Sequence, residues 1–190
     1  VLWTWTGGLR AVAWTDSLQA AIMLVVAVLS VVFIVYRAFG SFGGMFAQLE
    51  LQYPTWLTVP GPGFFNINTF VGLTLPWFFF SLSNPQVSQR LFVPRSLGQM
   101  RIMVMGFLVF GFIYTLVSIF WGFSARLLLP DLTVADSATP VLLGLDIVPM
   151  VLALLVMLGI SAAAVSTVNS IILTLSSMVC RDVFKNASIG

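Results

Sequence analysis

Polar residues stand in three places inside otherwise apolar stretches of the chain, and each grouping has a spacing that suits ion or solute chemistry. Ala163, Thr167, Ser170, Thr174 and Ser177 step by four, three, four and three, so on a helix they share one face, with Ser166 beside Thr167. Hydroxyl and backbone carbonyl oxygens suit a hard cation such as sodium. The same spacing also suits helix packing: Gly159, Ala163 and Thr167 form a seam of small residues, and Ser or Thr can bond back to its own helix. Spacing leaves both uses open.

The second place is Asp16, near the start of an apolar helix, where a carboxylate is costly unless wet or paired. It is either an interfacial side chain paired with Arg10 or a basic loop, or a cation way-station at the mouth of a pathway. The third is the face formed by Trp77, Ser81, Asn84 and Pro85 at i, i+4, i+7 and i+8. Pro76 and Pro85 each remove a backbone donor and free the carbonyls of Gly72 and Ser81, which in a membrane must meet protein or a water-filled cavity. Phe78, Phe79 and Phe80 point around the same helix and suit packing or lipid contact.

Other chemistries fall away. The chain has no His and one Cys, so serine-histidine catalysis, histidine-ligated zinc and an internal disulfide are excluded within it. Cys180 lies in an apolar run and is expected to be a buried, inert thiol. With few acidic residues near a span, an intramembrane protease is not supported, and the chain is read as no enzyme.

The elements that must position these groups are membrane helices. Hydrophobic residues make up 59% and charged residues 7% of the 190, and the mean hydropathy is +1.07, which predicts an all-α integral membrane protein in a lipid bilayer. The net charge of +2 is too small and dispersed for a nucleic-acid surface, so no nucleic acid is expected as a partner. Stretches free of charge at 17–36, 51–89, 102–125 and 147–180 are long enough to cross a bilayer, which needs about 20 residues. Pro54, Pro60, Gly61, Pro62 and Gly63 push the start of the second helix to Phe64. Four transmembrane helices are therefore expected, at about 9–37, 64–88, 101–126 and 147–183, in a single membrane domain. The outer loops are 38–63, with a short surface helix over 40–52, and 127–146; the inner loop is 89–100. Arg10, Arg90, Arg95, Arg101, Arg181 and Lys185 lie on one side, and Arg37 and Arg126 on the other. Lys and Arg resist translocation, so both ends are expected to be cytoplasmic in a plasma-membrane protein. The chain opens Val-Leu-Trp with no initiator Met, which suggests an internal segment whose partners include the remaining helices of the same protein.

Three motifs carry a resemblance. Gly7-Gly8-Leu-Arg-Ala-Val-Ala-Trp-Thr15-Asp16-Ser-Leu-Gln19, Asn84-Pro85-Gln86-Val-Ser-Gln89-Arg90-Leu-Phe92 and Ala162-Ala163-Ala164-Val-Ser166-Thr167-Val-Asn-Ser170, in this order and spacing, resemble the sodium:solute symporter family. The resemblance spans nearly the whole chain and implies helices five to eight of a ten-helix, leucine-transporter-type inverted-repeat fold. It implies that Ser166 and Thr167 give side-chain oxygens and Ala163 a carbonyl to the coupling sodium ion, as half of a site completed by the first core helix. Asp16 matches the family's acidic residue at the cytoplasmic sodium exit. Trp77 and Pro85 match two of three residues lining the path of proline symporters, with Ser81 where those have Tyr; the sugar-binding Asn and Tyr residues are replaced by Trp77, Phe79 and Phe80, which argues against a sugar. The function implied is sodium-coupled import of a small organic solute by alternating access, the solute being a carboxylate, an amino acid or a related compound. The alternative is a symporter-like sensor domain of a signalling protein.

Overall fold

The computed structural model describes residues 2–61 and 66–185, and these are helical and irregular with no strand. The helices are α1 (Leu2–Phe39), α2 (Phe42–Gln52), α3 (Ile67–Ser83), α4 (Pro85–Leu91), α5 (Leu97–Leu128), α6 (Ala138–Leu143) and α7 (Met150–Met178), the last running into a π-helical turn over Val179–Lys185. Local chemistry sets most of their ends. Gly40, at φ +73, takes the left-handed conformation that closes α1, and its N–H donates to Tyr36 O at 3.1 Å. Ser41 Oγ, Asn66 Oδ1 and Ser96 Oγ accept from the N–H groups of Gly44, Thr69 and Gln99, capping α2, α3 and α5. These caps explain why α3 starts three residues later than Phe64, which itself lies outside the described residues, and why α5 starts before Arg101.

Among the described residues, three helices rather than four are long and apolar enough to cross a membrane: Ala11–Phe39, Leu97–Leu128 and Met150–Arg181. The stretch expected as one helix over 64–88 is divided. Asn84 is extended at φ −90 and ψ 113, as a residue before proline prefers, and Pro85 opens α4. The Ser88 hydroxyl lies 3.3 Å from the Leu82 carbonyl across the break and 3.0 Å from that of Asn84, which also accepts the N–H groups of Val87 and Ser88. α3 passes through Pro76 without stopping, but its 17 residues reach only about 26 Å at 1.5 Å per residue. That falls short of a hydrocarbon core of about 30 Å.

α1 is the central element and packs against α7, α5 and α2. Around its last turns, Val31 and Val35 close with Met45 and Leu49 of α2 into one buried cluster, and Ile34 closes with Ala125, Leu142, Leu143 and Val148 into another. The expected surface helix is thus packed: Met45 and Leu49 are fully buried. Trp121 borders both clusters, and its Nε1 donates to Thr139 Oγ1 at 3.1 Å, tying α5 to the segment that carries α6. The Arg126 guanidinium stacks 4.5 Å from the Tyr53 ring and 5.5 Å from the Trp56 ring, fixing the turn after α2 to the end of α5.

α7 runs antiparallel to the rest of α1, with Ser166 and Ser170 opposite Asp16, Gly159 opposite Met23 and Val148 beside Ile34. Gly159 is buried, and a Cβ built there would meet Met23 Cγ at 3.7 Å, which is ordinary contact with no room beyond it. Cys180 is exposed rather than buried, because the π turn that carries it runs past the part of α7 that packs on α1. We expect Gly159→Ala to change stability by less than about 0.5 kcal/mol, whereas Gly159→Leu must part the two helices and cost about 1–3 kcal/mol. Thermal melting of the full-length protein in detergent checks the contrast; equal melting temperatures for the two variants would remove the seam.

Candidate functional site

Asp16 is the centre of a network that joins α1, α4 and α7. Its side chain is 17% exposed. Ser166 Oγ donates to Asp16 Oδ1 at 2.7 Å, and Ser170 Oγ donates to Oδ2 at 3.2 Å. Arg90 Nη2 lies 3.3 Å from Oδ2 as the ion-pair partner, and it also donates to Ser170 Oγ. Ser170 therefore accepts from the guanidinium and donates to the carboxylate. Each acceptor atom of Asp16 has a donor, which is what a carboxylate largely removed from water requires.

The helical repeat explains the arrangement on α7. Ser166 and Ser170 are four residues apart and project from one face, so a single carboxylate can bridge them. Ser170 and Thr174 are buried, at 4% and 7% exposure, and Gly159, Ser166 and Ser170 make the line that meets α1. Thr167, one residue on from Ser166, turns about 100° away and is exposed. Its Oγ1 donates to the Ala163 carbonyl at 2.9 Å, the back-bond open to any helical threonine. The structure thus brings Thr167 together with Ala163, and Ser166 together with Asp16.

Asp16 is paired with Arg90 of the basic segment following α3; the Arg10 side chain lies outside the described residues. Of the expected solute face, Trp77 is exposed and packs against Phe80 with ring centroids 5.1 Å apart, and Pro85 is exposed at the start of α4. Asn84 is half-buried at the break, and the Ser81 side chain lies outside the described residues. The sequence offered Arg10 or the basic loop as the partner of Asp16 without singling out a residue; the structure pairs it with Arg90 of that loop and adds Ser170 of the hydroxyl stripe. The available signal was the scarcity of charge: an acidic residue within an apolar helix needs a cation, and Arg90 ends a short helix placed by Pro85.

The model of the sodium:solute symporter family matches residues 1–188. The chain belongs to that family. Membership makes it part of a multi-pass membrane transporter, not an enzyme, with sodium-coupled solute transport as its activity class. Nothing in the match favours the sensor alternative. No curated protein and no solved structure matches the chain.

Ser170→Ala deletes a hydroxyl that serves both charged partners, and we expect it to destabilise the full-length protein by about 1–3 kcal/mol. Thr167→Val removes a hydroxyl bonded only to its own helix and should cost less than about 0.5 kcal/mol. Detergent melting of the two variants side by side would show the opposite order if Ser170 were a mere spacer.

Proposed function

We propose that this chain forms core helices of a sodium-coupled importer that moves a small organic solute by alternating access within a leucine-transporter-type fold. The solute is a carboxylate, an amino acid or a related compound. The observation that carries this reading is the Ser166-to-Asp16 hydrogen bond, which joins the hydroxyl expected to bind sodium to the carboxylate expected to receive it. Sodium here is cargo. Ala163 O, Ser166 Oγ and Thr167 Oγ1 supply half of its oxygen shell, and the remaining helices of the protein supply the rest.

From that half-site the ion passes to Asp16, one turn or less away along the seam, and leaves to the cytoplasm. Both ends of the chain face that side, in keeping with the basic residues at Arg90, Arg95, Arg101 and Arg181. α3, continued through the break at Asn84 into α4, makes the fourth crossing, and the exposed face bearing Trp77 lines the solute path. Sodium binding favours one conformation and so couples the ion gradient to the solute. Each sodium crossing 100 mV contributes about 2.3 kcal/mol before any concentration term.

The full-length protein reconstituted in liposomes tests this. Ser166→Ala combined with Thr167→Ala should weaken apparent sodium affinity at least about tenfold, as expected when hydrogen-bonding oxygens worth about 1.4 kcal/mol or more are removed. Uptake with an unchanged sodium titration would refute the half-site. Trp77→Ala should raise the half-saturating solute concentration about ten- to a hundredfold at normal expression, the loss typical of an aromatic side chain that a bound ligand covers. An unaltered value would take that face out of the path.

A further inference from the structure

We propose that Arg90 is the chain's own counter-cation for Asp16. It takes the place between Asp16 and Ser170 when a sodium ion leaves, so that ion occupancy and docking of α4 exclude one another. The inference rests on the sodium-coupled reading above.

The geometry assigns the role by the atoms that Arg90 uses. Nη2 bridges a carboxylate oxygen, Asp16 Oδ2, and a hydroxyl oxygen, Ser170 Oγ. These are hard oxygens from two helices, and a single cationic nitrogen donating to both stands where a small cation sharing them would stand. Both cannot be there. Exchange of one positive charge for another also means that the carboxylate, only 17% exposed, never loses compensation during the exchange.

Of the network's members, Arg90 is the one able to withdraw. Its side chain is 51% exposed, whereas Ser170 is 4% exposed, so the guanidinium can exchange Asp16 for water at modest cost. It rides on a helix of seven residues, joined to α3 through the extended Asn84 and Pro85, and α4 packs on α7, with Arg90 reaching Asp16 of α1. A guanidinium is broad and planar, with donors in a fixed fork. It can rest against an open pair of oxygens but cannot enter a closed oxygen shell, so the ion displaces it once the shell forms.

The test uses the full-length protein in liposomes, with sodium titrated at the face that carries Arg90 and release of radioactive sodium followed there. Arg90→Gln should lower the half-saturating sodium concentration about two- to fivefold, the size of a partly exposed charge pair, and slow sodium release. A gain of affinity is not the mark of structural damage. Arg90→Lys should recover most of the wild-type value, and Asp16→Asn should erase the difference between Arg and Gln at position 90. Unchanged or weakened sodium affinity in Arg90→Gln, or additive effects of the two substitutions, would overturn the proposal. Should Arg90→Gln fold poorly, Arg90→Cys in a Cys180→Ser background gives a second arm. A cationic methanethiosulfonate should restore wild-type sodium affinity and a neutral one should not, and equal effects of the two reagents would also overturn it. Solute uptake by the wild type that ignores sodium would sink the functional reading itself, whereas sodium-dependent uptake with no shift in Arg90→Gln would sink the counter-cation alone.

Discussion

A carboxylate on a membrane helix has to be solvated by the protein, and the donors that surround Asp16 fix how α1 and α7 lie together. Lipid tails are as apolar as the side chains of these helices, so apolar contact gives little preference for one sliding position over another. Asp16 opposite Ser166 and Ser170 does give one. A slip by one turn toward the start of α7 would set the carboxylate between Ala162 and Ser166, one hydroxyl short, while the opposite slip, onto Ser170 and Thr174, keeps two hydroxyls but brings Met23 against Ala163 in place of Gly159. With that register set, Gly159 falls against Met23, where a side chain larger than Ala has no room, and Val148 falls beside Ile34.

The far end of α1 is held by different physics. Val31, Ile34 and Val35 lie on one side of the helix and are enclosed by α2, α5 and α6, with Met45, Leu49 and Leu142 wholly buried. The polar links there, Trp121 to Thr139 and Arg126 over Tyr53 and Trp56, tie the irregular segments to α5. Helices too short to cross a bilayer gain their order from this enclosure, since an isolated helix of 11 residues is marginal on its own. α1 therefore spans two regimes: a polar register lock around Asp16 and an aliphatic, close-packed cap near Phe39.

How much of this was legible in the sequence varies with the range of the interaction. The three long helices followed from charge-free runs, because hydropathy is a local property of the chain, whereas the expected second helix is divided into α3 and α4. The division of the second segment was visible as Asn84-Pro85, yet two prolines in one run gave no basis for choosing which would break it; Pro76 is tolerated inside α3 and Pro85 starts a new helix. The hydroxyl stripe was visible as spacing. What spacing cannot supply is the side of the stripe that meets a neighbour, and a shift of one residue separates Ser166 on Asp16 from Thr167 on its own backbone. Arg90 is 74 positions from Asp16, and pairing over that distance depends on how α4 packs against α7. Cys180 was misjudged because an apolar neighbourhood in sequence says nothing about whether a helix end is covered.

The separation of Ser166 and Thr167 bears on how the sodium reading works physically. Ser166 Oγ gives its proton to Asp16, which leaves its lone pairs free, whereas Thr167 Oγ1 gives its proton to the Ala163 carbonyl. A hydroxyl rotates at little cost, so Thr167 can turn its proton away and offer an oxygen beside that carbonyl, converting a satisfied back-bond into adjacent acceptors for a cation. Ser166 needs no such turn. In the proposed half-site it would remain bonded to Asp16 while its oxygen ligates, so withdrawal of negative charge from Asp16 by Arg90 would reach the ion through one hydroxyl. On this proposal an ion at the half-site and a guanidinium on Asp16 would be opposed both by competition for oxygen and by like charge, through the same Asp16 network that joins α1, α4 and α7.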